Sequence, residues 1–136
     1  MNPVVIDSLD HVVLRVADLD RALAFYCGAL GCTVAKRRDE LGLVHLRAGS
    51  AMIDLLPLDG PLGRKGGAGP GPEGRNVDHL ALRLARFEPD ALRSHLAAHG
   101  IDMGEVVERF GAQGNGPSVY LTDPDGNMVE LKGPAG

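Results

Sequence analysis

The stretch LDHVVLRV at residues 9–16 decides the fold, because it returns as VDHLALRL at residues 77–84. Asp, His, Leu and Arg occupy the same places in both copies. Each copy leads into a helical pattern that ends in glycine, RALAFYCGALG at 21–31 and DALRSHLAAHG at 90–100. A strand and a helix that occur twice predict two copies of one module.

The two helical patterns carry the residues that favour helix ends. Asp20 and Pro89 stand where helix starts favour such residues. Gly31 and Gly100 suit the left-handed backbone position that ends many helices. The sequence therefore predicts one helix in each half, directly after the repeated strand.

Each half then has room for three more strands. The candidate strands cover residues 33–38, 43–48 and 51–55 in the first half and residues 105–109, 118–122 and 127–131 in the second. The stretch DPDGN at 123–127 predicts a tight hairpin turn before the last strand. The order is βαβββ in both halves.

The modules cover about residues 7–58 and 76–133, and a Gly/Pro-rich linker or mobile loop at about 59–75 separates them. The predicted fold class is α+β. The two βαβββ modules pair into an open half-barrel sheet, with helices outside and a concave metal-binding cleft inside. All 136 residues are expected to form this single domain.

Composition narrows the function classes. The chain is 44% hydrophobic and 24% charged with a net charge of −4, which is ordinary for a globular protein. It has no basic block or acidic tail, so we expect no nucleic-acid partner. Apolar runs are too short for a bilayer and the start lacks a signal-peptide pattern, so we expect a cytoplasmic protein. Cys27 and Cys32 are expected to be reduced and to serve packing.

Side chains alternate along a strand, so parity sorts them into faces. Apolar residues occupy one face of each repeated strand and should pack under the helices; these are Val12, Leu14 and Val16, then Leu80, Leu82 and Leu84. His11 and His79 fall on the opposite face. In the closing strands Asp54 and Glu130 also fall on the side away from the helices. Two histidines and two carboxylates are thus expected in the cleft.

Each of these residues alone is more often a solvated or hydrogen-bonded side chain than a ligand. Together, two His and two carboxylates are a common ligand set for one divalent ion of Ni, Zn, Fe, Mn or Co. His11, Asp54, His79 and Glu130 are therefore the predicted metal ligands. The other histidines receive no site role: His45 has no counterpart in the second half, and His95 and His99 are expected to be solvated.

Two arginines share the face of the histidines. Arg15 and Arg83 are the predicted substrate-binding residues, and with Lys132 they suit a small anionic substrate. The alternative is that both arginines are only charges at the rim of the cleft.

Three motifs resemble the vicinal oxygen chelate superfamily, which includes glyoxalase I, extradiol dioxygenases, fosfomycin-resistance enzymes and bleomycin-binding proteins. They are the LDHxxLRV opening, FYxxxLG at 25–31 and DPDGNxxEL at 123–131. The resemblance covers roughly residues 7–133 and implies that the same four residues stand at the metal-ligand positions. It also implies that Arg15 matches a glutathione-contacting Arg of glyoxalase I. Leu58 stands where glyoxalase I has Asn, which argues against glutathione.

The resulting hypothesis is a metal-dependent glyoxalase-like lyase or isomerase that acts on an α-hydroxycarbonyl or related anionic substrate through an enediolate. Glu130 is the first choice for the catalytic base and Asp54 the second. The alternatives are an Fe(II)-dependent extradiol-type dioxygenase using His11, His79 and Glu130, and a non-catalytic drug- or metabolite-binding protein of the bleomycin-resistance kind. We also expect a homodimer, because relatives often complete the cleft across a subunit interface.

Overall fold

The computed structural model describes residues 2–136. Its first module begins with strand β1, which is followed by a helix that changes pitch. Strand β1 spans His11–Val16. The helix runs as α1 over Leu19–Leu23 and continues as a π-helix over Ala24–Ala29. Its first turn is capped by Asp18, whose side chain accepts a hydrogen bond from the Arg21 N–H. The predicted start at Asp20 is therefore wrong by two residues, because Asp18 has the extended backbone that a capping residue needs.

Three strands complete the first module. They are β2 over Thr33–Arg38, β3 over Leu43–Ala48 and β4 over Ala51–Pro57, with a short 3-10 turn at Asp39–Leu41. The spatial order is β1-β4-β3-β2, with β1 parallel to β4 and the other pairs antiparallel. Strand β1 therefore forms one edge of its sheet.

The second module repeats this plan. It consists of β5 over His79–Arg83, α2 over Pro89–Ala98, β6 over Val107–Gly111, β7 over Gly114–Thr122 and β8 over Met128–Lys132. The spatial order β5-β8-β7-β6 matches that of the first module, and β5 is again an edge strand parallel to its neighbour. The α+β class with two βαβββ modules and open sheets is confirmed. Among the described residues the two sheets are separate four-stranded sheets.

The parity argument located the core. Leu14 and Val16 in the first strand are fully buried. The apolar residues of the closing strands are at most 2% exposed; these are Ile53, Leu55, Val129 and Leu131. Val12, Leu80, Leu82 and Leu84 are partly buried and pack against the same cluster. One cluster spans both modules, so the two halves share a core. Burial of this apolar surface is the main stabilising term of the fold.

The DPDGN turn of the second module also forms hydrogen bonds with the first module. The Asp123 N–H donates to the Asn127 carbonyl oxygen over 2.8 Å, which closes the predicted hairpin, and Gly126 supplies the positive φ of +84°. The buried Tyr26 hydroxyl of the first module donates to Asp123 Oδ2 over 2.6 Å. The Ala17 N–H donates to Asp125 Oδ1 over 2.8 Å. The turn thus binds Ala17, just before the capping residue of the first helix, and Tyr26 in its π-helical part.

The linker is held to the first strand rather than only spanning the modules. It contains a 3-10 turn at Gly63–Gly66. The Arg15 guanidinium donates to the carbonyl oxygens of Gly67 and Ala68 over 3.0 and 2.9 Å. Two donors of Arg15 are therefore engaged by the linker.

Two further observations concern the helices. His95 is exposed, as expected for a solvated residue, and its Nε2 also lies 2.7 Å from the Ala29 carbonyl oxygen, so it joins α2 to the end of the first helix. The carbonyl at a helix end has no partner within the helix, which explains why it receives this bond. No helix in the described part of the chain is long and apolar enough to cross a membrane.

Candidate metal centre

The first half of the candidate site lies where β1 and β4 run side by side. His11 begins β1, and Asp54 in β4 is only 6% exposed. His11 Nε2 lies 4.0 Å from Asp54 Oδ2. On the other side of the ring, His11 Nδ1 lies 2.7 Å from a carboxylate oxygen of Asp10.

The second half repeats this geometry in β5 and β8. His79 Nε2 lies 3.3 Å from Oε1 of Glu130, which is 5% exposed. His79 Nδ1 lies 2.7 Å from a carboxylate oxygen of Asp78. Both modules therefore hold a histidine between a solvent-exposed aspartate that precedes it and a buried carboxylate on the neighbouring strand.

This arrangement fits a bound cation. A carboxylate is an acceptor only, so Nδ1 of each ring carries the proton that it donates to Asp10 or Asp78. The neutral ring then has no proton on Nε2, which points at another carboxylate oxygen. Two acceptors facing each other repel unless a proton or a metal cation lies between them, and a ligand histidine whose other nitrogen bonds a carboxylate is the usual arrangement at metal sites.

The charges around the rings act in the same direction. The hydrogen bond to Asp10 raises the pKa of His11, partial burial opposes it, and the negative charge of Asp54 adds to the rise. The hydrogen bond from His79 lowers the pKa of Asp78, so this aspartate stays ionised beside the ring. Both histidines are thus set in a negative environment that attracts a cation.

Each buried carboxylate is also held by a side chain from the next strand. His45 Nδ1 in β3 lies 2.9 Å from Asp54 Oδ1. In the second module the Ser118 hydroxyl in β7 donates to Glu130 Oε2 over 2.7 Å. Sequence reasoning gave His45 no role and did not consider Ser118. The alternation of side chains along these strands could have found both residues. His45 and Ser118 alternate with the buried apolar residues, which are Val44, Leu46, Val119 and Leu121.

The four predicted ligands fall into two pairs within one chain. In the part of the chain that the structure describes, no group of three or more His, Cys, Asp and Glu residues is arranged to hold one metal ion. The pairs lie on the edge strands β1 and β5 and on their inner neighbours. Each chain therefore offers two half-sites, and the convergence of all four residues on one ion stays a prediction.

A tyrosine lies against His79 of the second half-site, and three cationic side chains come from the same sheet. The Tyr120 ring packs edge-on against His79, with ring centroids 5.7 Å apart, and the Arg109 guanidinium lies 5.9 Å from the Tyr120 ring centroid. Lys132 is 9% exposed and donates to the carbonyl oxygens of Arg109 and Gly116. Arg83 is exposed at the end of β5. The substrate-binding roles of Arg83 and of Arg15 stay predictions.

Comparison with known proteins agrees with the two-module plan. Residues 8–131 match the model of the Glyoxalase/Bleomycin resistance protein/Dioxygenase superfamily. The chain is 31% identical over 129 residues to Virulence protein STM3117 of Salmonella typhimurium, covering 93% of this chain and 84% of the relative. It is 29% identical over 133 residues to a probable lactoylglutathione lyase of Synechocystis, covering 89% and 91% of the two chains.

A solved structure has the same architecture. Integron cassette protein VCH_CASS1 from the mobile metagenome of V. cholerae is 30% identical to this chain and superposes with a TM-score of 0.72. The match covers 96% of this chain and 97% of the other. With the family model spanning both modules and both half-sites, the chain belongs to the Glyoxalase/Bleomycin resistance protein/Dioxygenase superfamily.

Proposed function

We propose that the protein is a metal-dependent lyase or isomerase of the glyoxalase kind that acts on a small oxygenated, anionic substrate. His11, Asp54, His79 and Glu130 are the metal ligands in this proposal. The observation that carries it is the same in both modules: a histidine whose Nδ1 bonds an aspartate directs its Nε2 at a buried carboxylate. The presence of a carboxylate in both half-sites favours this activity over the dioxygenase alternative, whose iron site would use two histidines and one carboxylate.

A homodimer would complete the site. Strands β1 and β5 each have one unpaired edge, and each begins with a ligand histidine. A two-fold axis that sets β1 of one chain beside β5 of its partner joins unlike half-sites and produces two identical centres. Large apolar side chains are exposed next to β1, namely Val4, Val5, Ile6 and Leu9. An apolar patch of this kind favours an interface with another chain.

The assembly is tested by sedimentation at micromolar concentration. The expected species has twice the 14.3 kDa mass of the chain. A single 14.3 kDa species would contradict the dimer.

The chain's own residues supply the proton chemistry. A divalent cation held by these four residues would supply Lewis-acid polarisation of the substrate oxygens. In this proposal Glu130 is released from the cation, takes a proton from one substrate carbon at Oε1 and gives it to the neighbouring carbon, while Oε2 keeps its hydrogen bond from the Ser118 hydroxyl. Arg83 and Lys132 lie on the same two strands as His79 and Glu130, and in this proposal their positive charge favours an anionic substrate.

The test combines metal binding with turnover. Metal content is measured after dialysis against each candidate ion, and activity is measured with methylglyoxal plus glutathione and with other α-hydroxycarbonyl compounds. We expect His79→Ala to weaken metal binding by orders of magnitude and to abolish turnover. The control His99→Ala alters an exposed residue at the end of α2 and should change neither. A protein that turns over these substrates equally with and without metal would refute the proposal.

One observation favours Fe(II)-dependent oxygen chemistry as the second candidate. Asp54 Oδ2 lies farther from its histidine, at 4.0 Å, than Glu130 Oε1 does from His79, at 3.3 Å. His11, His79 and Glu130 alone would form a two-histidine, one-carboxylate iron site. The substitution Asp54→Asn separates the two candidates. Oxygen uptake with a catechol after anaerobic Fe(II) loading should survive it, whereas isomerase activity should fall.

A further inference from the structure

We infer that His45 is a positioning residue that fixes the Asp54 carboxylate in the candidate metal centre. The inference rests on the proposed function where it concerns the metal. His45 lies directly opposite Asp54 in the antiparallel register of β3 and β4. Its Nδ1 lies 2.9 Å from Asp54 Oδ1, and the two side chains are 23% and 8% exposed. The contact is therefore partly buried, and its position is set by the pairing of the two strands.

The Asp54 carboxylate depends on this single contact. Among the described residues His45 is its one hydrogen-bond donor, because His11 Nε2 at 4.0 Å is beyond hydrogen-bonding distance. A buried carboxylate without a donor is costly, and its side-chain torsion is free to turn. The hydrogen bond to Oδ1 stops that rotation and leaves Oδ2 directed at His11.

The second module has the same device with a different donor. The Ser118 hydroxyl binds one oxygen of Glu130 and leaves the other facing His79. Asp54 is one methylene shorter than Glu130, so its carboxylate has less freedom to reach a metal ion by itself. A rigid imidazole that comes from the adjacent strand compensates by holding the carboxylate in one orientation.

Three substitutions at one position test which atom of His45 matters. The amide nitrogen of asparagine lies near the position of His Nδ1, whereas that of glutamine lies near His Nε2. We expect His45→Asn to keep the Co(II) affinity and the visible Co(II) spectrum of the wild-type protein. We expect His45→Gln and His45→Ala to lower the affinity about 10–100-fold, as loss of the partner of a metal ligand typically does, and to change the spectrum.

Two outcomes of this series would overturn the inference. If His45→Asn loses the metal as His45→Ala does, the ring itself is required and His45 acts as a ligand. If all three variants bind Co(II) like the wild type, His45 serves packing alone. The control His99→Asn alters an exposed histidine and should leave both readouts unchanged.

A metal-free measurement keeps this inference separate from the proposed function. Long-range ¹H–¹⁵N spectra of the metal-free protein at mildly alkaline pH report which ring nitrogen of His45 carries the proton. We expect the Nδ1–H form in the wild type and its loss in Asp54→Ala. An Nε2–H form in both proteins would overturn the inference. If the wild type binds no metal but shows this Asp54-dependent Nδ1–H form, the proposed function fails while His45 still holds Asp54.

Discussion

Replacing Tyr26 with phenylalanine removes one hydroxyl group from the contact that joins the two modules. The Tyr26 side chain is fully buried, and its hydroxyl donates to Asp123 Oδ2 over 2.6 Å. Asp123 is 4% exposed and accepts three further hydrogen bonds, from the N–H groups of Asp125 and Asn127 and from the Asn127 amide. The ring itself stays in place in the variant, so the change isolates the hydroxyl.

The expected cost follows from these partners. A hydrogen bond to a charged group contributes about 1.5–3 kcal/mol. Asp123 Oδ2 still accepts from the Asn127 amide over 2.8 Å after the change, so it is not left without a donor. We therefore expect Tyr26→Phe to lower the free energy of unfolding by about 2 kcal/mol.

Urea unfolding at one fixed protein concentration measures this difference, because the proposed dimer would make stability depend on concentration. The midpoint should fall while the m-value stays constant. The control is Tyr120→Phe, since this half-buried hydroxyl only accepts a 3.3 Å hydrogen bond from Arg109. Tyr120→Phe should change the free energy of unfolding by no more than about 0.5 kcal/mol. If the two variants are equally stable, the hydroxyl of Tyr26 does not join the modules.

The same pair predicts a dependence on pH. Burial, and then the charge and hydrogen bond of Asp123, raise the pKa of Tyr26 well above its usual range. The folded state therefore keeps the phenol protonated where the unfolded chain, with a tyrosine pKa of about 10, releases the proton. The folded state then binds more protons, so stability falls as pH rises through and above about 10. The stability advantage of the wild type over Tyr26→Phe should shrink in that range.

Further predictions concern the cysteines and two glycines. Burial raises the pKa of the Cys32 thiol to about 11 and also raises that of the partly buried Cys27, so iodoacetamide should label the native protein at neutral pH far more slowly than the unfolded chain. Equal labelling rates would contradict this protection of the two thiols. Gly126→Ala should destabilise by about 1–2 kcal/mol, because Gly126 has a φ of +84°. Gly28→Ala should stabilise by about 0.5–1 kcal/mol, because this helical glycine has no positive φ and no atom within 4 Å of an added Cβ. Urea unfolding measures the stability of both glycine variants. If the two substitutions change the free energy of unfolding equally, the backbone φ does not cause the difference expected between them.

The sequence determined the modules and the faces of their strands. The repeat of DHxxLR around His11 and His79 defined two units, and alternation placed Asp54 and Glu130 opposite the apolar residues. These inferences hold because a strand exposes alternate side chains to opposite faces, whatever lies beside it. The first helix shows the limit of local reasoning, because Asp18 rather than Asp20 has the backbone conformation of the cap.

The tertiary structure decided which of these residues meet. His45 contacts Asp54 because β3 and β4 pair in one register, and a shift by one residue would turn His45 to the other face. Tyr26 and Asp123 are separated by 97 positions in the chain, and they meet only because the modules share a core. Such contacts depend on register and on packing between distant segments. No local pattern of residues determines either of them, whereas a local pattern is sufficient to place a histidine on one face of a strand.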